Sequence, residues 1–152
     1  MRELDTESYV GVLKSLVEEG HEVSLLISGS SMAPFLIHHR DTIWFRAPDR
    51  ELKAGDMVFY LRLSGQYVMH RIRAVKNDGY YLIGDGQQVV EGPIAREQIF
   101  AVVCSAVRKG RTQKPGSFWW EFFEKIWIRL VPLRPILAGG YRRIKPIIRR
   151  IV

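Results

Sequence analysis

The sequence predicts a mostly β domain: a coiled, antiparallel sheet with one N-terminal helix and a C-terminal amphipathic helical tail. Short apolar stretches alternate with tight turns between residues 21 and 107, which is typical of antiparallel strands. Helical spacing of apolar residues is confined to the two ends of the chain. The length of 152 residues suits one domain that buries its own core.

The first element is a helix within residues 1–20. Asp5 and Thr6 are capping candidates, and apolar residues follow at helical spacing, at Tyr9, Val10, Leu13, Leu16 and Val17. Gly20 is a natural stop. The stretch is acidic and interrupted by charges, so we interpret it as neither a signal peptide nor a spanning helix.

Six strands are predicted after the helix, at residues 21–27, 42–45, 56–63, 66–76, 80–83 and 98–107. Turn residues separate several of them, at Ala54-Gly55, Ser64-Gly65 and Asn77-Asp78-Gly79. The single cysteine, Cys104, lies in an apolar stretch and has no partner for an intrachain disulfide. We therefore expect a buried structural thiol.

Charge divides the chain into a mildly acidic part and a basic part. Residues 1–107 hold 11 basic and 14 acidic residues, whereas residues 108–152 hold 12 basic and 2 acidic ones. This asymmetry predicts a folded domain at 1–107, a linker at 108–116 and a basic tail at 117–152 that suits an anionic partner.

A candidate nucleophile lies in the turn after the first predicted strand, where Ser28, Gly29, Ser30, Ser31 and Met32 follow one another. A serine nucleophile needs an exposed position on a tight turn, with backbone N–H donors nearby. Gly29 permits unusual backbone angles and the close approach of a substrate. The N–H of Ser31 could hold an oxyanion, and the hydroxyl of Ser28 or Ser30 could supply a second donor. Without a base, such a turn would be an ordinary loop.

The candidate base is His70, in the predicted strand at 66–76. Alternation along this strand puts His70 on one face with Val68 and Ile72, whereas Arg71 and Arg73 are expected to form a solvated opposite face. An ordinary imidazole pKa of about 6.5 would let His70 accept a proton near neutral pH.

Four segments resemble the motifs of type I signal peptidases. Residues 29–36 resemble the nucleophile box, and residues 56–60 resemble the box that follows it. Residues 68–72 are similar to the box that carries the base, and residues 82–86 are similar to the Gly-Asp box. They occur in the family's order within residues 24–107. His70-Arg71-Ile72 resembles the branch of the family that uses histidine, not lysine, as the base.

The resemblance implies a signal-peptidase-type domain in which Ser31 is the nucleophile and His70 the general base. It also implies an acidic residue that orients the histidine. Asp85 and Glu91 are the two candidates, and Asp85 is preferred because its Gly-Asp pair matches the motif. The substrate would be a peptide or protein, bound as an extended segment with small residues before the scissile bond.

Two features depart from the signal peptidases. In the histidine branch the serine directly follows the Ser-Gly pair, whereas here Ser30 stands between Gly29 and Ser31, as in mitochondrial inner-membrane and self-cleaving repressor relatives. We also expect no N-terminal membrane anchor. We likewise expect no DNA-binding domain of the repressor kind before Ser28.

The tail has an aromatic and a basic part. Between residues 118 and 130 one broad helical face is predicted, formed by Trp119, Phe122, Phe123, Ile126, Trp127 and Leu130. Residues 141–152 alternate basic and apolar pairs. Both parts suit an anionic membrane surface, and a helix packed on the domain or a dimer contact is the alternative. Nucleic acid fits less well, because phosphate contacts do not require so much apolar surface.

The sequence thus predicts a serine endopeptidase, cytoplasmic or peripheral on the cytoplasmic membrane. The alternative is a non-catalytic, membrane-peripheral binding module that keeps the peptidase fold. His38, His39 and Asp41 have no matching second cluster and are interpreted as a polar loop, so we expect no metal and no cofactor.

Overall fold

The computed structural model describes the backbone of residues 3–29 and 31–133, and the side chains of residues 9–29 and 31–130. Its centre is one antiparallel sheet of eight strands in the order β1-β2-β7-β3-β4-β5-β6, with β8 beside β7. The mostly β class predicted from the sequence is confirmed. Ser30 and the basic residues 134–152 lie outside the described residues.

The elements follow the predicted order closely. The helix α1 spans Glu3–Glu18. The strands are β1 (Val23–Leu26), β2 (Thr42–Arg46), β3 (Met57–Leu61), β4 (Tyr67–Lys76), β5 (Gly79–Ile83), β6 (Glu91–Ile94), β7 (Ile99–Arg108) and β8 (Arg111–Gln113). The sequence analysis did not predict β6 or β8. Since β8 pairs with β7 across a tight turn, the predicted linker at 108–116 continues the sheet.

Two apolar clusters hold the sheet. The larger one joins α1, β1, β2, β3 and β7 through buried side chains that include Val10, Val17, Ile43, Phe45 and Phe59. The smaller one is built on β3, β4, β5 and β7, and includes Val58, Tyr60, Ile72 and Leu82. Buried apolar area of this kind is the main source of stability in a domain of this size.

The aromatic segment, defined here as residues 118–130, belongs to the larger cluster. It begins as one α-helical turn, α2 (Phe118–Glu121), and continues as π-helical and 3-10 turns at Phe122–Ile126 and Trp127–Leu133. Trp120, Phe123 and Trp127 are buried in the core. The buried part of the predicted membrane-binding face therefore packs on the domain.

Other side chains of the aromatic segment remain at the surface. Phe118 is 71% exposed, Ile126 52% and Trp119 42%. In the part of the chain that the structure describes, no helix is both long and apolar enough to cross a membrane.

Cys104 is half-buried on β7, and its thiol contacts the Trp44 carbonyl oxygen at 3.3 Å. Burial raises its pKa, so the thiol is less reactive than an exposed one.

Candidate active site

The turn that carries the candidate nucleophile, residues 28–32, is called the serine turn here. It follows β1 and is fixed at both ends by hydrogen bonds and by burial. Ile27 donates its N–H to the Asp41 carbonyl at 2.8 Å, and Gly29 donates its N–H to Nδ1 of His38 at 2.7 Å. Gly29 has a φ of 91°, the left-handed region that the sequence analysis expected of this glycine. Ser28 and Gly29 are exposed, and Ser31 is half-buried.

The residues after Ser31 anchor the turn in the core. Met32 is 2% exposed, and Phe35 and Leu36 are fully buried. Leu36 also donates its N–H to the Met32 carbonyl at 2.9 Å. An apolar anchor directly after the serine holds Ser31 at the surface of the core, with its backbone in a fixed position.

The loop at Gly84–Gly86 lies against the backbone of Ser31. Gly86 donates its N–H to the Ser31 carbonyl at 2.9 Å. A Cβ atom at Gly84 would collide with the same carbonyl oxygen, so only glycine fits at position 84 without a shift of the backbone. Two of the motifs that the resemblance singled out are therefore in direct contact.

The candidate base lies on β4 and is connected to a carboxylate through a tyrosine. His70 is 5% exposed, and its Nδ1 lies 3.2 Å from the hydroxyl of Tyr60 on the neighbouring strand β3. The Tyr60 hydroxyl donates to Oε1 of Glu91 at 3.0 Å. Arg62 holds Glu91 through an ion pair at 2.6 Å, with further contacts at 3.0 and 3.1 Å.

The direction of these hydrogen bonds determines the tautomer of His70. The Tyr60 hydroxyl has one proton, and it is donated to Glu91. The oxygen of Tyr60 then accepts from Nδ1–H, because two acceptors cannot face each other at 3.2 Å. In the neutral imidazole the other nitrogen, Nε2, carries the lone pair.

Burial and the neighbouring charges act on His70 in opposite directions. Burial lowers the pKa of His70 to about 4, against the raising effects of the Glu91 and Asp85 carboxylates, while Arg62 lowers it further. Although burial raises the pKa of Glu91, the hydrogen bonds from Arg62 and Tyr60 bring it below its usual range. At neutral pH the site therefore holds a neutral imidazole and an ionised Glu91.

Asp85 has a different partner. Both of its carboxylate oxygens accept from Arg71, at 2.8 and 2.9 Å, and Arg71 also donates to the Gly55 carbonyl at 2.8 Å. Arg71 is 1% exposed, so the expectation that it lies on a solvated strand face is wrong. No described contact joins Asp85 to His70, and its role as the orienting acid stays a prediction without a contact to support it.

Ser31 and His70 line the same cleft, which has a volume of about 350 Å³. Ser28, Gly29 and Met32, the other described residues predicted for this site, line it too. Its lining combines apolar residues, among them Val10, Leu25, Ile27 and Phe59, with the polar residues Arg62, Gln66 and Gln87. Within the described residues, no hydrogen bond joins the Ser31 hydroxyl to His70; in unliganded sites such contacts often form only when substrate binds.

His38, His39 and Asp41 are engaged in other contacts of the domain. His38 accepts from Gly29 and stacks on His39 with ring centroids 3.5 Å apart. Asp41 is fully buried and accepts from Ile37 at 2.8 Å and from Arg40 at 2.8 Å. Among the residues that the structure describes, no three His, Cys, Asp or Glu side chains are grouped to hold a metal.

Sequence reasoning missed Tyr60 and Arg62. Both lie on or directly after a strand that was predicted, and strand alternation puts Tyr60 on the same face as Val58. Val58 is the register partner of His70. A tyrosine two residues from that partner is a diagonal neighbour of the histidine, but the pairing of the two strands must be known to see it.

In comparisons with known proteins, no family model, no curated protein and no solved structure matches this chain. The function is therefore inferred from the motifs of the chain and from the geometry of its cleft.

Proposed function

We propose that this chain is a serine endopeptidase with a signal-peptidase-type fold, which cleaves an extended peptide or leader segment in the cleft. The observation that carries the proposal is the order of hydrogen bonds Glu91–Tyr60–His70. It fixes the imidazole from the side of Nδ1 and leaves the lone pair of Nε2 for a hydroxyl in the same cleft as Ser31.

In the proposed mechanism the Ser31 oxygen attacks the peptide carbonyl while Nε2 of His70 takes the hydroxyl proton. The N–H of Ser31 supports the developing oxyanion, and the hydroxyl of Ser28 or Ser30 is the candidate second donor. His70 then returns the proton to the leaving amine, and an acyl-enzyme remains on Ser31. Water, activated by His70, releases the second product and restores the serine.

The role of Glu91 is to stabilise the imidazolium that forms when His70 takes the proton. The negative charge of Glu91 already raises the pKa of His70 in the resting site. Glu91 orients the imidazole of His70 through Tyr60, since the Tyr60 oxygen accepts from Nδ1–H while its proton is donated to Glu91. We therefore assign the acid role to Glu91 and a structural role to Asp85, whose carboxylate fixes Arg71 and the loop behind Ser31.

We further propose that the chain works in the cytoplasm and associates with the anionic surface of the membrane. Phe118, Trp119 and Ile126 support this, because they remain exposed at the beginning of the basic tail. The sequence of residues 134–152 adds positive charge and isoleucine pairs. The membrane-facing surface is narrower than the sequence predicted, since Phe123 and Trp127 of the predicted face are buried in the domain.

Cleavage of a peptide library, followed by mass spectrometry, tests the proposed activity. We expect new termini with the wild-type chain and a loss of several orders of magnitude in rate with Ser31→Ala. The matched controls are Ser15→Ala and His21→Ala, because both residues are exposed and neither lines the cleft. Equal cleavage by wild type and Ser31→Ala would exclude Ser31 as the nucleophile.

A further inference from the structure

The Asp85–Gly86 peptide unit is held from both sides. Its carbonyl accepts a hydrogen bond from Nε1 of Trp127 at 2.8 Å. Its N–H, which belongs to Gly86, donates to the Ser31 carbonyl at 2.9 Å. A trans peptide unit is planar, and its C=O and N–H point in opposite directions, so one rigid group joins the indole of Trp127 to the backbone of Ser31.

The hydrogen bond from Trp127 is shielded from water. Trp127 is 9% exposed and Asp85 is fully buried. A buried hydrogen bond is costly to lose, because the remaining carbonyl has no water to replace the donor. The indole thus fixes the direction in which the Gly86 N–H points.

The aromatic segment also supports the serine turn directly. Phe123 packs on Phe35 with ring centroids 4.8 Å apart, and Trp120 meets the same ring edge-on at 6.2 Å. Phe123 in turn contacts Trp127 at 5.7 Å. The segment that was predicted to lie beyond a linker therefore contacts both loops that surround Ser31.

A second set of contacts fixes the aromatic segment to the same region. Glu124 forms an ion pair with Lys53. Two residues after Lys53, the carbonyl of Gly55 accepts a hydrogen bond from Arg71. Arg71 holds the carboxylate of Asp85. Trp127 thus holds the backbone carbonyl of Asp85, and Arg71 holds its side chain.

We infer that Trp127 is a positioning residue of the active site: through the Asp85–Gly86 peptide unit it sets the place of Ser31 opposite His70. The effect on catalysis rests on the proposed function, whereas the link from Trp127 to Gly86 does not. The aromatic segment is then part of the catalytic domain, and the tail beyond it is a separate element.

The test compares Trp127→Phe, which keeps an aromatic ring and removes the N–H donor, with the matched control Trp119→Phe. Amide hydrogen exchange at Gly86 is measured by NMR, together with kcat and KM for a cleaved peptide. Losing one buried hydrogen bond should speed Gly86 exchange and lower kcat by about five- to tenfold, with KM within about twofold. Trp119→Phe should change neither quantity, since Trp119 is 42% exposed and the hydrogen bond to the Asp85 carbonyl comes from Trp127.

Unchanged Gly86 exchange in a folded Trp127→Phe chain would overturn the inference, whether or not the chain cleaves peptides. If Gly86 exchange rises and kcat stays unchanged, Trp127 supports the loop alone and its role in positioning Ser31 is wrong. If Trp127→Phe does not fold, hydrogen exchange of the indole N–H groups in the wild-type chain is the test. The Trp127 indole N–H must then exchange far more slowly than that of Trp119, and equal rates overturn the inference.

Discussion

The hydroxyl of Tyr60 lies 3.2 Å from Nδ1 of His70 and donates its own proton to Glu91. This relationship gives the histidine a defined tautomer and connects it to a carboxylate that it does not touch. In the proposed enzyme it replaces the direct histidine–acid contact of a triad by a contact through a phenol.

Tyr60→Phe should therefore impair catalysis. It leaves Nδ1–H of His70 without an acceptor in a buried site and disconnects Glu91. An unpaired buried donor costs about 1–3 kcal/mol, which corresponds to a factor of roughly five to 150 in an equilibrium or rate constant. We expect kcat/KM to fall by at least about fivefold on that scale. Tyr81→Phe is the matched control, since it removes a tyrosine hydroxyl that donates to Asp78 on an exposed hairpin. Equal activity of the two variants would contradict the role of Tyr60.

Two carboxamide variants separate the candidate acids. Glu91→Gln should lower kcat and leave the chain folded, because Glu91 is half-buried and mainly holds Tyr60 and Arg62. Asp85→Asn should instead destabilise the fold by about 3–5 kcal/mol, since it leaves the buried charge of Arg71 uncompensated. Denaturant unfolding and peptide cleavage measure the two effects. A stable Asp85→Asn chain without activity, beside an active Glu91→Gln chain, would return the acid role to Asp85.

The pH dependence of activity follows from the burial of His70. Burial lowers its pKa to about 4, so the neutral base is present well below the usual imidazole pKa. We expect kcat/KM to fall only as the pH drops below 6.5, toward about 4. The pH profile of kcat/KM is the relevant one because it reports the pKa values of the free enzyme. The sequence alone predicted a limb near 6.5. A limb at or above 6.5 in the wild-type chain would mean that His70 is not buried as described.

Stability should depend on the same group, with a sign that can be worked out. Between pH 4 and 6.5 the unfolded chain binds a proton at position 70 that the folded chain does not bind. The free energy of unfolding then rises with pH through this window, by at most about 1.4 kcal/mol per pH unit, and is constant above it. His70→Gln should lack this contribution, so unfolding curves of the two chains should diverge as the pH falls below 6.5.

Membrane binding is tested by co-sedimentation with vesicles. A truncation after Gly116 would remove Trp120, Phe123 and Trp127 from the core, so the cut belongs after Leu133 instead. We expect the full chain to bind anionic vesicles more than the truncated chain, and less so with added salt, because basic residues near the surface contribute about 1 kcal/mol each. Equal recovery of both chains with anionic vesicles would assign the tail another role.

Much of the fold could be predicted because its turns are determined by residues that are neighbours in the sequence. Asn77-Asp78-Gly79 and Ser64-Gly65 fix two hairpins, and α1 follows from the spacing of Val10, Leu13 and Val17. The short strands β6 and β8 carry no such periodicity. Their place comes from pairing with β5 and β7, which is information from distant parts of the chain.

In the candidate site, too, some features could be predicted from the sequence and others could not. Ser31 and His70 could be proposed from motifs, whereas the burial of Arg71 could not, because alternation assigns residues to faces without saying what covers each face. Around position 71 both faces of β4 are buried, and Asp85 supplies the compensating charge. The apolar face of the aromatic segment is likewise compatible with a membrane or with a protein core, and contacts such as that of Phe123 with Phe35 distinguish the two.

Labelling with a fluorophosphonate probe tests the central claim, that His70 activates Ser31 as a nucleophile, most directly. Intact mass and peptide mapping locate the adduct, and labelling rates are compared among wild type, Ser31→Ala and His70→Gln. We predict one adduct on Ser31, none in Ser31→Ala, and labelling slower by at least about 100-fold in His70→Gln, as expected for loss of a general base. An adduct on Ser28 or Ser30 instead, or equal labelling rates with and without His70, would contradict the account.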